Sequence, residues 1–452
     1  MFKTTSSEMT YDRLPPGGIN RSPLSGWLLV TAVLFSIVCG AVLVLEGPLA
    51  AVIVTGCLFA LVLINQPFLA LYVLVAAIGF DSINALRMGE IYSITIIKIV
   101  GVVLVISLVP AIAMGRIRFR VGKEIILVGV FLLLMLASFL GASSYSLSLK
   151  GILTYLQLAV LWVAVRLIIT TPKRMRLTAK IIVLTLTVCA VIGIWQFLSN
   201  PYARITGISQ NAAILSSNMY VGFWFALALL LTTQRKLSRF AWGVLLVAMF
   251  LVIIFSLARA AYIALIPSIL IAGIYARKPG RSIGILVLLI ILVLLFAPFV
   301  MHRMAQTTMA DPSTRGHLYS IKAGLDMMFD HPFLGVGVEN YVGNYLHYTQ
   351  DPRGYPRTPH NSYLAIGAET GIPNLIVFLG LHIAALYALW KFKRRSGEAD
   401  RMSSLFAMAI AGALVAISLI GLFHTLQMSK YLWILLALAF NFPLKRNSAK
   451  VS

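Results

Sequence analysis

Four side chains combine reactive chemistry with an unusual place in a very apolar sequence: Arg204, Arg259, Arg315 and His360. His360 ends a polar stretch and comes directly before an apolar, glycine-punctuated run, in 357-RTPHNSYLAIGAETGIP-373. Because an imidazole titrates near neutral pH, it can accept a proton from a hydroxyl group. Guanidinium groups that converge on one site can hold a diphosphate by paired, charged hydrogen bonds and stabilise it as a leaving group.

Each of these residues also has an ordinary structural explanation. An arginine at a membrane interface can reach lipid phosphates or cap helix carbonyls, and Arg259 lies at a tight turn between two apolar runs. A single histidine among seven is often structural. Pro359 keeps the chain extended before His360, and Asn361 or Ser362 is placed to cap the helix that follows. A rigid helix start of this kind would direct the imidazole outward.

The elements that position these residues follow from composition. The chain has 452 residues, of which 60% are hydrophobic and 11% charged, whereas about 25% are charged in a soluble domain. Apolar runs recur along almost the whole length, and about 20 such residues cross a bilayer as a helix. We therefore predict an all-α, polytopic transmembrane bundle of 12–14 spans. The candidate spans are 25–45, 49–64, 67–80, 93–114, 124–142, 150–170, 177–199, 213–232, 239–256, 258–276, 282–300, 369–390, 403–424 and 428–443.

Basic residues fix the orientation of these spans. The net charge of +23 would suggest nucleic acid in a soluble protein, but here most Lys and Arg lie in alternate short loops. With both termini cytoplasmic, the cytoplasmic segments hold 25 Lys and Arg and the opposite side 10. Two more, Lys98 and Arg166, lie near the ends of spans, where snorkelling explains them; a functional role for Lys98 is an alternative. This bias is the positive-inside rule.

This register leaves one long external segment, which is typical of a functional loop. Within it, residues 312–330 place Leu318, Ile321, Leu325 and Met328 at helical spacing, after an N-cap at Asp311. An amphipathic helix on the outer membrane face or over a cavity is expected. The predicted organisation is a disordered tail 1–24, an N-terminal bundle 25–300, the external loop 301–360, C-terminal helices 361–443 and a tail 444–452.

Neither a metal nor another cofactor is expected from the sequence. The external carboxylates are scattered, without a paired or His/carboxylate cluster that would bind a divalent ion. The three cysteines lie within apolar runs and form no metal-binding or disulfide pattern. The Gly-x-Gly element at Gly335 and Gly337 serves a tight turn, because no strand-turn-helix unit exists to make it a dinucleotide site.

Taken in order, these residues resemble the O-antigen ligase and O-antigen polymerase superfamily, most clearly over 177–390. The resemblance rests on four motifs: Arg204 with Thr206-Gly207, Ser256-x-x-Arg259-Ala-Ala, Arg315 through Asp330-His331-Pro332-x-x-Gly335-x-Gly337-x-x-Asn340, and His360-Asn361-Ser362-Tyr363 with Glu369-x-Gly371. It implies a metal-independent inverting glycosyltransferase of the bacterial cytoplasmic membrane, with its active site facing outward. The donor would be an undecaprenyl diphosphate-linked glycan, and the acceptor a glycan or a lipid A-core.

The resemblance also implies roles for individual residues. Arg204 and Arg259 would bind the diphosphate, and His360 would activate or orient the acceptor hydroxyl. Three further residues would support the site: Arg315, Asn361 and Glu369.

Several functions stay open at this point. Ligation, polymerisation of repeat units and protein glycosylation share the motifs. A flippase or transporter for the same lipid-linked sugars is the alternative from another class, but it should carry charges near the bilayer midplane. A purely structural membrane protein would leave the external Arg and His residues unexplained together.

Overall fold

The computed structural model describes residues 60–81, 86–88, 92–94, 96–119, 122–201, 203–275, 312–349, 351, 354–396 and 400–442. The chain divides into two units, Met1–Val62 and Leu63–Ser452, and the helices and strands described here belong to the second. Several predictions fall outside the described residues: the two tails, the spans 25–45 and 282–300, most of the span 49–64, and the N-cap Asp311.

Thirteen α-helices lie within the described residues. In chain order they are α1 Pro67–Ile78, α2 Ile96–Ala113, α3 Glu124–Ala137, α4 Tyr145–Ile168, α5 Pro172–Ser199, α6 Ala212–Thr232, α7 Lys236–Phe255, α8 Arg259–Tyr275, α9 Pro312–Asp330, α10 Tyr341–Tyr348, α11 Ser362–Arg395, α12 Arg401–Ile420 and α13 Lys430–Ala439. Short 3-10 turns follow α3, at Ser138–Gly141, and precede α6, at Gly207–Ser209.

The predicted class, a polytopic all-α membrane protein, is confirmed. Seven of the described helices are long and apolar enough to cross a membrane: α3 with its 3-10 extension, α4, α5, α6, α7, α11 and α12. Four shorter apolar helices, α1, α2, α8 and α13, coincide with further predicted spans. The total of 12–14 spans stays a prediction.

Burial separates an inner layer of helices from an outer one. Of the residues in the most apolar segment of each helix, 83% are buried in α12 and 78% in α6. The corresponding shares are only 22% in α3 and 28% in α7. A helix that is apolar on all sides must be covered by other helices or by lipid. We infer that α6 and α12 form the interior of the bundle and that the apolar outer faces of α3 and α7 contact lipid.

A two-stranded hairpin is an addition that the sequence did not predict. β1 Leu86–Met88 pairs antiparallel with β2 Tyr92–Ile94, in the link between α1 and α2. Three-residue strands are too short to show the alternation by which a strand is recognised in sequence.

The two charged residues predicted within spans have different surroundings. Arg166 does not snorkel, which corrects the prediction: its side chain is 9% exposed, pairs with Glu124 at the start of α3, and donates to the side-chain oxygen of Asn441. A nearby carboxylate and amide satisfy the guanidinium inside the protein, so it need not reach the lipid headgroups. Lys98 lines a separate, largely apolar cavity of about 300 Å³ together with the ion pair Asp81–Lys430.

Candidate active site

Five segments, most of which carry predicted residues, converge around one cavity of about 520 Å³. They are the link before α6, the turn between α7 and α8, the helix α9, the segment before α11 and the segment after α12. The cavity is lined by Arg204, Asn211, Ala213, Leu257, Ala258, Arg259, Ala260, Ile263, His317, Leu318, Ile321, Arg357, His360, Leu422, Phe423 and His424. Arg204, Arg259 and His360, the three principal residues predicted from sequence, therefore share one site.

Local hydrogen bonds set the position of His360. Its φ of 45° is left-handed, and the helix α11 begins two residues later. The Asn361 Oδ1 accepts from the backbone N–H groups of Tyr363 at 2.9 Å and Leu364 at 3.0 Å, so Asn361 caps the helix, as one of the two predicted alternatives. The Thr358 hydroxyl lies 3.1 Å from His360 Nε2. The imidazole is thus held at a rigid helix start on the cavity wall.

Ser362, the other predicted cap, instead fastens the segment that follows α12. Its backbone N–H donates to the Gly421 carbonyl at 2.7 Å, and its hydroxyl donates to the His424 carbonyl at 2.8 Å. The same hydroxyl accepts from the Leu426 N–H at 2.7 Å. Three bonds to one buried serine fix His424 relative to His360.

Two further histidines adjoin His360. The ring centroids of His317 and His360 are 4.8 Å apart, and those of His360 and His424 are 5.7 Å apart. No group of three or more His, Cys, Asp or Glu side chains within the described part of the chain is arranged to hold a metal ion. Neither neighbour was predicted from the sequence, although His317 lies in the predicted external segment and His424 is the last residue of the predicted span 403–424.

The cavity is lined by positive side chains, and two of its histidines, His360 and His424, have a lowered pKa. Burial lowers the pKa of His360 to about 4, with smaller contributions from His317 and Arg357. Burial likewise lowers the pKa of His424 to about 4, with contributions from His360, Arg204 and His317. The described residues that line the cavity include three arginines and no carboxylate. Such a cavity suits a polyanion beside a proton-accepting imidazole.

The third arginine, Arg357, was not singled out from the sequence. Its Nε lies 3.1 Å from a carboxylate oxygen of Asp351, whose side chain is fully buried. The guanidinium also packs over the Tyr355 ring, at 4.8 Å from the centroid. An ion pair and a stacked ring hold this long side chain at the edge of the cavity.

The Ser256-x-x-Arg259 motif forms the predicted tight turn. The Ser256 hydroxyl donates to the Ile253 carbonyl at 2.7 Å and accepts from the Ala258 N–H at 3.3 Å, while Leu257 takes a φ of 50°. The helix α8 begins at Arg259, so the turn sets this guanidinium at a helix N-terminus. A second turn places Arg204, because Gln196 Oε1 accepts from the backbone of Gly207 at 2.8 Å.

The predicted supporting residues lie outside the cavity lining. Arg315 is exposed on α9, two residues before His317. Asn361 acts through the helix cap, and Glu369 is buried behind the site with its carbonyl accepting from the Gly337 N–H at 3.0 Å. Their support for the reaction stays a prediction.

Two residues of the predicted apolar stripe on α9 line the cavity, whereas Met328 lies against Gly367 of α11. Leu318 and Ile321 line the cavity, and both are more than a third exposed, as is Leu325. The face that packs on the protein carries small residues and a methionine, among them Ala323 and Met327. A helix at Pro312–Asp330 is therefore confirmed, and Leu318 and Ile321 give the cavity an apolar wall.

The segment from Gly335 to Asn340 contains the predicted tight turn and packs against α11 and the start of α4. We call this segment the latch. Gly335 has a φ of +66°, and a Cβ there would lie 2.3 Å from the Glu369 carbonyl carbon. Gly371, with a φ of +84°, forms a kink in α11 where a Cβ would lie 2.3 Å from the Phe333 oxygen. Asn340 completes the latch, since its Oδ1 accepts from a backbone N–H at the start of α4 at 2.7 Å.

Comparison with known families finds a match to the part of the chain that carries most of these residues. Residues 244–379 match the O-antigen ligase family. The resemblance to the O-antigen ligase and polymerase superfamily is thereby confirmed over this region, which holds Arg259, His317, Arg357 and His360 and excludes Arg204 and His424. The family implies an O-antigen ligase- or polymerase-type role in surface polysaccharide biosynthesis, with lipid-linked glycan and acceptor substrates in a membrane. No curated protein matches the chain.

Proposed function

We propose that the chain is an inverting, metal-independent glycosyltransferase on the outer face of the bacterial cytoplasmic membrane. It moves a glycan from undecaprenyl diphosphate to a hydroxyl group of an acceptor sugar. The observation that carries this proposal is the single cavity lined by His360 and by the guanidinium groups of Arg204, Arg259 and Arg357. The alternation of basic loops supports the outward orientation.

The chemistry is a single displacement at the anomeric carbon. The acceptor oxygen forms a bond to that carbon while the bond from carbon to the phosphate oxygen breaks, and the diphosphate leaves with the electron pair. His360 takes the hydroxyl proton as the new bond forms. A single displacement inverts the configuration of the anomeric carbon.

The arginines stabilise the charge that develops on the leaving group. Guanidinium groups form paired hydrogen bonds with phosphate oxygens, and these strengthen as charge develops there. The bound diphosphate also raises the affinity of the neutral His360 for a proton, because an anion nearby favours the imidazolium. Substrate binding therefore converts a weak base into a stronger one at the moment of transfer.

The donor lipid and the site match in polarity. The cavity joins charged groups to the exposed apolar residues Leu318, Ile321, Leu422 and Phe423. A polyprenyl diphosphate needs such a boundary between an apolar wall and a cationic end. The flippase alternative is less well supported, because the arginines lie at helix ends and loops instead of the middle of spans.

Purified protein in lipid nanodiscs tests the proposal. With an undecaprenyl diphosphate-linked glycan and an acceptor, we expect a product of inverted anomeric configuration, and transfer that persists in EDTA. A ladder formed from the lipid-linked units alone identifies a polymerase, whereas a requirement for a lipid A-core identifies a ligase. In sealed proteoliposomes, transbilayer movement of the intact donor without transfer to any acceptor would contradict the proposal and favour a flippase.

A further inference from the structure

His424 lies in the site but has no part in the mechanism above. It lines the cavity from the segment between α12 and α13, outside the region that matches the family model. Its ring meets the His360 ring in an edge-to-face arrangement at 74°. Its role is decided by which ring nitrogen carries the proton.

The backbone fixes that proton. The Thr425 N–H donates to His424 Nδ1 at 3.1 Å. A backbone N–H can only donate, so Nδ1 offers its lone pair and the proton of the neutral ring resides on Nε2. Burial keeps the ring neutral, since it lowers the pKa of His424 to about 4. His424 is therefore a neutral hydrogen-bond donor of defined tautomer.

The surroundings indicate what this donor meets. Arg204 and His424 both line the cavity, and the positive charge of Arg204 contributes to the lowered pKa of His424. The ring is held there by the bonds between Ser362 and the 421–426 segment. An imidazolium beside arginines would be repelled, whereas a neutral N–H adds a directed bond to an anion at no such cost.

We propose that His424 is a substrate-binding residue whose Nε2–H donates a hydrogen bond to the diphosphate held by Arg204 and Arg259. This inference rests on the proposed function. It assigns three donors to the diphosphate group: a guanidinium from the α5–α6 link, a guanidinium from the α7–α8 turn and a neutral imidazole from the segment after α12.

Binding of undecaprenyl diphosphate without a glycan tests the inference, with full-length protein in nanodiscs. We expect His424→Phe, which keeps a ring but removes the donor, to weaken binding about tenfold, as for one hydrogen bond to a charged group. His424→Gln, which restores an N–H, should recover most of the affinity. His347→Phe is the matched control, because His347 is exposed on α10 and away from the cavity. Undecaprenyl monophosphate and inorganic pyrophosphate, as competitors, show whether a lipid-linked diphosphate is the preferred ligand.

Equal affinity of His424→Phe and wild type, with normal transfer by both, would overturn this inference and leave the proposed function intact. Failure of the wild type to bind any of the three probes would instead remove the proposed function and this inference with it. Histidine ¹⁵N NMR of the wild type adds a measurement that needs no folded Phe variant. The wild-type spectrum should contain a histidine with an unprotonated Nδ1, and the signals of this histidine should be missing from the spectrum of His424→Gln. The Nε2–H signal of this histidine should shift when undecaprenyl diphosphate is added. The absence of a shift would also overturn the inference.

Discussion

His317 and His360 lie with their ring centroids 4.8 Å apart at the edge of the cavity, although one belongs to α9 and the other to the segment before α11. Neither imidazole has a carboxylate among the described residues that line the cavity. Under the proposed mechanism, the pKa of the base His360 is therefore set by burial and by neighbouring cationic or neutral groups. The bound diphosphate would then supply the negative charge that makes His360 a better base.

Replacement of His360 tests its assignment as the base. We expect His360→Ala to lower the rate of transfer by roughly 10²–10⁴-fold, the usual contribution of a general base. Binding of undecaprenyl diphosphate should change much less, because the arginines remain. The measurement is kcat with a lipid-linked glycan, and His347→Ala is the control on an exposed histidine. Near-normal turnover of His360→Ala would exclude a proton-transfer role.

The guanidinium of Arg259 is predicted to bind diphosphate in a geometry that an ammonium cannot reproduce. Arg259→Ala should raise the KM for the donor and lower kcat, and Arg259→Lys should recover only a part, since lysine cannot form the paired bonds. Arg315→Ala is expected to have a smaller effect, because Arg315 is exposed and does not line the cavity. Arg394→Ala, on the stacked Arg394–Trp390 pair at the other end of α11, is the control. Similar losses for all three alanine variants would contradict the assignment.

The dependence of transfer on pH follows from the lowered pKa of His360. The groups that face it are His317 on α9, His424 after α12, and Arg357, and none of them favours its protonation. Since protonation blocks the base only as pH falls through about 4, kcat/KM should stay level from pH 8 to about 5 and fall below that. The acidic limb of the pH profile of kcat should lie at higher pH than that of kcat/KM, because bound diphosphate raises the pKa of His360. An acidic limb of kcat/KM near the ordinary value of about 6.5 would contradict the burial that we describe.

The lowered pKa values of His360 and His424 also predict how the stability of the folded protein depends on pH. The unfolded histidines take up protons near pH 6.5, whereas the folded ones resist protonation until about pH 4. The unfolded state therefore binds more protons between these values, and the stability present above about pH 6.5 is lost progressively as pH falls towards 4. Thermal unfolding in nanodiscs from pH 8 to 4 measures this, and replacing His360 and His424 by Gln should flatten the slope.

The latch between Gly335 and α11 should be intolerant of a side chain. Gly335→Ala places a Cβ against the Glu369 backbone and forces a positive φ on alanine, so we expect a loss of about 3 kcal/mol or more in the free energy of unfolding. Gly343→Ala is the matched control: its Cβ would have no neighbour within 4 Å, and alanine should stabilise α10 by up to about 1 kcal/mol. The melting temperature of each purified variant, followed by size exclusion, is the measurement. A Gly335→Ala protein as stable as wild type would show that the segment is not a latch.

Hydropathy and charge by themselves determined the class of this protein. An apolar run reports the cost of moving each residue from water into lipid, a property of the residue itself, so helices such as α5, α6 and α12 are predicted well. Alternating basic loops then assigned Arg204, Arg259 and His360 to one side of a membrane. Residue chemistry, with the motif resemblance, added the match to a diphosphate and a hydroxyl.

Tertiary packing decided which of the residues on that side meet. Being on one side restricts a residue to a layer, but its lateral position depends on how helices pack, and packing is a relation between distant residues. It brought Arg357, His317 and His424 to the cavity and left Arg315 and Glu369 outside its lining. It also paired Arg166 with Glu124, where sequence alone predicted snorkelling. The sequence thus determined the class of the protein and predicted its chemistry and the side of the membrane, and the packing of α9, α11 and α12 determined which side chains meet, because only packing sets the distances between side chains.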